Sequence, residues 1–140
     1  MSAVRALIVI AAPTPVTREL SHAIRDDADV MGAQTLEEAI ALLDSNQPDL
    51  VVVCYAFDEM RPFRLFAYIR HDLQWDDLPM VLVRALPVPL GATQEKEIRE
   101  SYRTLGVAEF VNFRDVAEEH GVEAAGERFR TVIVSLLPPA

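Results

Sequence analysis

At 140 residues the chain has the length of one domain, enough to bury about two-thirds of its unfolded surface without disulfides or metals. Its 13 basic and 22 acidic residues leave a formal net charge of -9, which disfavours nucleic acid and anionic membrane as non-specific partners. Its single cysteine cannot close an internal disulfide. The first apolar stretch, broken by Pro13 and Pro15, is too short to span a bilayer; a cytoplasmic location is the expectation.

In chain order the pattern alternates between strand and helix. Ala6–Ile10 reads as a strand, followed by Thr14-Pro15, which suits a helix start with the hydroxyl as N-cap and proline at the first helical position. Leu20 and Ile24 share one face of that helix, which should run to about Arg25. A short strand is expected near Asp29–Gly32. Thr35 and Glu38 form a Thr-x-x-Glu capping box at the start of a helix over Leu36–Leu43. Pro48-Asp49 then breaks the chain before the aliphatic strand Leu50–Cys54. Phe63, Phe66, Tyr68 and Ile69 mark a helix from Pro62 to about His71, and Leu78-Pro79 restarts the sheet at Met80–Arg84. Pro87, Pro89 and Gly91 make Ala85–Thr93 a long irregular connection. A helix Gln94–Leu105 stopped by Gly106, a strand Glu109–Val111 and a final helix carrying Phe129, Val132, Ile133, Leu136 and Leu137 complete the pattern.

Five short aliphatic strands alternating with five helices imply strands buried on both faces, hence a parallel sheet covered by helices. Right-handed crossovers leave few topologies, and the flavodoxin-like, doubly wound order 2-1-3-4-5 suits five such units, with residues 1–140 as a single domain. In such sheets ligands bind at the carboxyl ends of the strands. Here those positions read Ala11 and Ala12 after the first strand, Cys54 at the end of the third and Arg84 at the end of the fourth. They offer no assembled acid, base or nucleophile, so an enzyme is not expected.

The stretch Pro48-Asp49-Leu50-Val51-Val52-Val53-Cys54, followed by Met60, Leu65, Ile69-Arg70 and Leu78-Pro79-Met80-Val81-Leu82-Val83, resembles the receiver domain of bacterial two-component response regulators. Gly106-Val107-Ala108-Glu109-Phe110-Val111 extends the likeness to the fifth strand, so that it covers almost the whole chain. The resemblance implies the CheY-like fold, and it places Cys54 in the phosphoacceptor aspartate column. It puts the acidic pair of the metal site on Ala11 and Ala12, the conserved hydroxyl of the fourth strand on Arg84 and the lysine of the fifth on Phe113. The proline after the phosphoacceptor becomes Asp58, and the glycine at the start of the next helix becomes Pro62.

The chemistry of those departures is severe. Mg²⁺ needs oxygen ligands and usually a carboxylate or two among its waters, and a thiol is too soft to replace them. Phosphoryl transfer rests on positioning and charge neutralisation, so losing metal ligands and lysine together should abolish the phosphorylation cycle. The expected function is a non-phosphorylatable receiver-like module that acts through protein contact, without metal or other cofactor. The implied partners are a histidine kinase, an effector or a second copy of the chain. The competing reading is a redox or small-anion sensor built on Cys54 and Arg84, since a nearby cation lowers a thiol pKa.

Other residues divide between bland and sharper roles. Arg84 could instead pair with Asp58 or Glu59, which are otherwise solvated loop acids. His22, His71 and His120 lack metal-ligand spacing, and Trp75 should pack over a helix end. The face implied for partner or dimer contact is formed by the fourth helix, fifth strand and fifth helix, with Arg99, Arg103, Phe110 and Arg128 as its candidate residues. The apolar run Leu86–Leu90 could cover the crevice or dock on a partner.

Overall fold

A computed structural model describes residues 5–138. Five parallel strands form one sheet: β1 (Ala6–Ala11), β2 (Ala28–Ala33), β3 (Leu50–Cys54), β4 (Met80–Val83) and β5 (Glu109–Val111), in the order β2-β1-β3-β4-β5. The aliphatic runs at β1, β3 and β4 become the sheet centre because a strand covered on both faces has no solvent side on which to place a polar residue. Ile8 to Ala11, Leu50 to Val53 and Met80 to Val83 are wholly buried. β2 has the more polar sequence Ala-Asp-Val-Met-Gly-Ala and lies at an edge, where Asp29 and Gly32 are exposed.

The helices are α1 (Thr14–Ala23), α2 (Leu36–Ser45), the single turn α3 (Phe57–Met60), α4 (Pro62–Ala67), α5 (Ala92–Thr104), α6 (Phe113–His120) and α7 (Val122–Leu136). Right-handed crossovers in this strand order send α1 to one face and α2, α4 and α5 to the other. The observed pairs agree: α7 packs on α1, and α2 packs on α4.

Several local expectations are corrected. Thr14 is not the N-cap of α1; Pro13 takes that place without a side-chain bond, and Thr14 and Pro15 lie in the first turn. At α2, Thr35 accepts from the Glu38 N–H as expected, but the Glu38 carboxylate accepts from the N–H of Gln34. The helix expected over Pro62–His71 ends in a π turn over Tyr68–Asp72, in which the Leu73 N–H donates to the Tyr68 carbonyl. A wider turn is held there because Arg70 donates to the carbonyls of Trp75, Leu78, Leu105 and Gly106, tying the turn to the connection before β4 and to the end of α5.

The largest difference is α6, a helix between β5 and the final helix that the alternating pattern did not predict. Asn112 caps it, accepting from the Asp115 N–H, and its buried Phe113 stands edge-on to Phe129 of α7 with ring centroids 6.5 Å apart. Gly121, at φ 94°, separates α6 from α7. That left-handed backbone breaks the helix at little cost only because glycine has no Cβ.

Candidate functional site at the carboxyl ends of the strands

Ala11 ends β1 and Ala12 follows it; both are wholly buried, and the Ala12 N–H donates to the Ala33 carbonyl at 2.9 Å. Their methyl groups bring neither charge nor a polar atom to the head of the sheet. Cys54 ends β3 opposite Val83 and is 1% exposed. Burial pushes its thiol up from the ordinary value, against the opposing effect of the backbone N–H groups of Ala56 and Ala85. A thiol raised in this way holds its proton at neutral pH, the opposite of what a reactive thiolate needs.

Arg84 follows β4 directly, and its side chain is only 10% exposed. Nε and Nη2 donate to the Val88 carbonyl at 2.9 and 2.7 Å, while Nη1 donates to Asn112 Oδ1 at 3.0 Å and to Asp115 Oδ1 at 2.9 Å. The guanidinium thus clamps the connection after β4 to the first turn of α6. Its acidic partner is Asp115, which corrects the expected pairing with Asp58 or Glu59. Those two acids reach Arg61 instead, at 3.5 and 3.7 Å, and Asp58 Oδ2 accepts from the Leu36 N–H at the start of α2. Asp58, Glu59 and Met60 all carry left-handed backbone, with φ of 44°, 60° and 65°. Side chains other than glycine rarely adopt it; at Asp58 the bond to Leu36 helps hold the turn.

The clamp decides the path of the proline-rich connection. Leu86 and Leu90 are half-buried and pack against the core, while Pro87 and Pro89 between them are exposed. Phe113, which the resemblance places in the lysine column, is buried beside Phe129. The head of the sheet therefore carries two methyl groups, a buried thiol and a guanidinium that makes four hydrogen bonds. This arrangement has no carboxylate pair for a divalent cation. Among the described residues no group of three or more His, Cys, Asp or Glu side chains could hold a metal ion.

The expected interaction residues do not all gather. Arg99 lies 4.8 Å from the Phe110 ring centroid, donates to the Phe110 carbonyl at 3.3 Å and pairs with Glu95 at 3.1 Å. Arg103 lines the same shallow hollow of about 50 Å³, and Arg128, exposed on α7, does not line it. His22, His71 and His120 are all exposed, and Trp75 packs half-buried against the core. Among the described residues no helix is long and apolar enough to cross a membrane.

The sequence missed Asn112 and Asp115, the partners of Arg84. Asn-x-x-Asp directly after a strand is a helix-start signal, and it could have placed both α6 and the clamp.

No protein-family model and no curated protein matches this sequence. Solved structures do. The chain is similar to the chemotaxis response regulator CheY4 of Vibrio cholerae, with 14% identity, 96% of this chain and 100% of that chain covered, and a TM-score of 0.69. It is similar to the phosphorylated cyanobacterial phytochrome response regulator RcpA, with 16% identity, 92% and 91% coverage and a TM-score of 0.70. The non-phosphorylated HemR receiver domain from Leptospira biflexa gives 23% identity, 98% and 99% coverage and a TM-score of 0.65. The five-stranded order, the full-length coverage and these neighbours agree that the chain has the CheY-like fold of response-regulator receiver domains.

Proposed function

We propose that this chain is a single-domain, cytoplasmic, receiver-like signalling module that is not phosphorylated and acts through protein contact. The observation that carries the reading is the state of Arg84: a guanidinium engaged by the Val88 carbonyl, Asn112 and Asp115 stands where the resemblance calls for a free hydroxyl. Around it, Ala11, Ala12 and Cys54 supply none of the carboxylates that would attract Mg²⁺ and accept a phosphoryl group. With no metal site, the output of such a module rests on its surface, and its partner is a histidine kinase, an effector or a second copy of the chain. The hollow beside Arg99, Arg103 and Phe110 is the candidate contact region.

The redox and anion-sensor alternative loses its physical support at both residues. Burial raises the Cys54 thiol, and the guanidinium meant to activate it is already occupied by other partners.

Acetyl phosphate with Mg²⁺ tests the reading directly. Intact mass should show no phosphoprotein, and millimolar Mg²⁺ should leave Tm unchanged, because a ligand that does not bind the native state gives no stabilisation by linkage. A phosphoprotein, or a saturable Mg²⁺ stabilisation lost in Asp58→Ala, would overturn it.

A further inference from the structure

Two cavities flank α1, and neither is lined by Ala11, Ala12, Cys54 or Arg84. One, of about 500 Å³, runs along the α1 surface beside the edge strand β2 and the start of α2. Its α1 wall is formed by Thr14, Thr17, Arg18, Ser21 and His22, which recur at helical spacing and so share one face, and Arg25 in the turn after α1 also lines it. The other, of about 680 Å³, lies between α1 and α7 and shares Arg18, His22 and Arg25.

Charge separates the two. The α7 side sets the carboxylates of Glu19, Glu123 and Glu127 against those two guanidiniums. The β2 side sets only Glu38 against them, and that carboxylate already accepts from the Gln34 N–H at 3.0 Å. On the β2 side two guanidiniums therefore face one carboxylate, while the same two face Glu19, Glu123 and Glu127 on the α7 side.

The groups facing the β2-side cavity are also little engaged. Arg18 has no hydrogen bond or ion pair among the described residues, whereas Arg5, Arg61, Arg84, Arg99, Arg114 and Arg130 each meet a carboxylate. Arg25 is oriented by its bond to the His22 carbonyl at 2.6 Å, with Nη1 3.3 Å from His22 Nε2, and it meets no carboxylate there. The Thr17 hydroxyl makes only a long contact of 3.5 Å to the Ala12 carbonyl. Gly32 forms the opposite wall; a Cβ there would stand 3.1 Å from Thr17 Cγ2 and crowd the groove. The first turn of α1 carries no acidic residue that would repel an anion.

We propose that this cavity binds a small phosphate-bearing molecule. Arg18 and Arg25 neutralise the phosphate, and the hydroxyls of Thr14, Thr17 and Ser21 donate to its oxygens. Guanidinium forks match the geometry of phosphate oxygens and form charge-assisted bonds to them. The volume lies within the range of small-molecule sites and leaves room for an organic body beyond the phosphate. The cavity lies beside the carboxyl end of β2 but is not lined by Ala11, Ala12, Cys54 or Arg84, so it would give a module without phosphoryl chemistry a soluble input.

The test is a titration of the isotope-labelled chain, at fixed ionic strength, with inorganic phosphate and with adenosine monophosphate as probes. Saturable amide shifts centred on Thr17, Arg18, Ser21 and Gly32 are expected from both. Adenosine and chloride should produce neither. Arg18→Gln and Arg25→Gln, both at exposed positions, should each weaken binding about tenfold with the circular dichroism spectrum unchanged. Non-saturating shifts, equal shifts with chloride or adenosine, shifts centred on Glu123 and Glu127, or unchanged affinity in both variants would overturn the proposal.

Discussion

Replacing Arg84 by Met keeps most of the stem volume and removes the clamp. Two of its bonds converge on the Val88 carbonyl, and two reach the N-cap Asn112 and Asp115 in the first turn of α6. Hydrogen bonds to a charged group contribute about 1.5–3 kcal/mol each. They do not sum here, because taking a guanidinium out of water offsets part of the gain. The Asp115 side chain is 54% exposed, so once Arg84 is gone water solvates that carboxylate and the ion-pair share is about 1 kcal/mol or less. The main loss is the tether on the half-buried connection, and Arg84→Met should cost about 2–3 kcal/mol in all. For a chain of this size that lowers Tm by roughly 6–9 °C. Urea unfolding followed by circular dichroism measures it, with an unchanged m-value showing that the transition itself is the same. Asp115→Ala should cost only about 1 kcal/mol, and the double variant should show coupling of about 1 kcal/mol. A cost below about 0.5 kcal/mol for Arg84→Met, or an Asp115→Ala as damaging as Arg84→Met, would refute the assignment of Arg84 as the clamp.

Two further substitutions probe the remaining framework. Burial pushes the Tyr102 hydroxyl up to about 12, with Tyr55 adding to the effect and the Phe63 N–H opposing it. Below about pH 10 both states hold the proton; above it the unfolded chain loses the proton first, so stability falls between about pH 10 and 12. Tyr102→Phe should flatten that part of the alkaline unfolding curve at a neutral-pH cost of about 0.5–1 kcal/mol, and an unchanged alkaline slope would count against it. Gly106 has φ of 83°, and a Cβ there would lie 2.7 Å from Arg70 Nε, a side chain already fixed by four carbonyls. Gly106→Ala should therefore cost about 2 kcal/mol in urea unfolding; a neutral result would mean that Arg70 can move aside freely.

The strand runs at Leu50–Cys54 and Glu109–Val111 and the order 2-1-3-4-5 were legible in the sequence. Burial on both faces leaves a continuous aliphatic signature, and right-handed crossovers leave little freedom in how such units connect. The positions at the strand ends were legible for the same reason: fixed strand ends fix which residues follow them. What those residues do was decided only by tertiary structure. Arg84 and Asp115 are 31 positions apart, and nothing local indicates that their side chains meet. Asp58 was available to Arg84 in the sequence, yet its left-handed turn carries it to the Leu36 amide instead. α6 escaped because its eight residues lie between a strand and a longer apolar helix, whose pattern masked the Asn112 cap. The α1 cavity escaped as well: helical periodicity puts Thr14, Thr17, Arg18 and Ser21 on one face, but only packing against β2 and α2 turns that face into the wall of a cavity. Local patterning is a property of neighbours along the chain, whereas a clamp or a cavity depends on side chains that folding alone brings together.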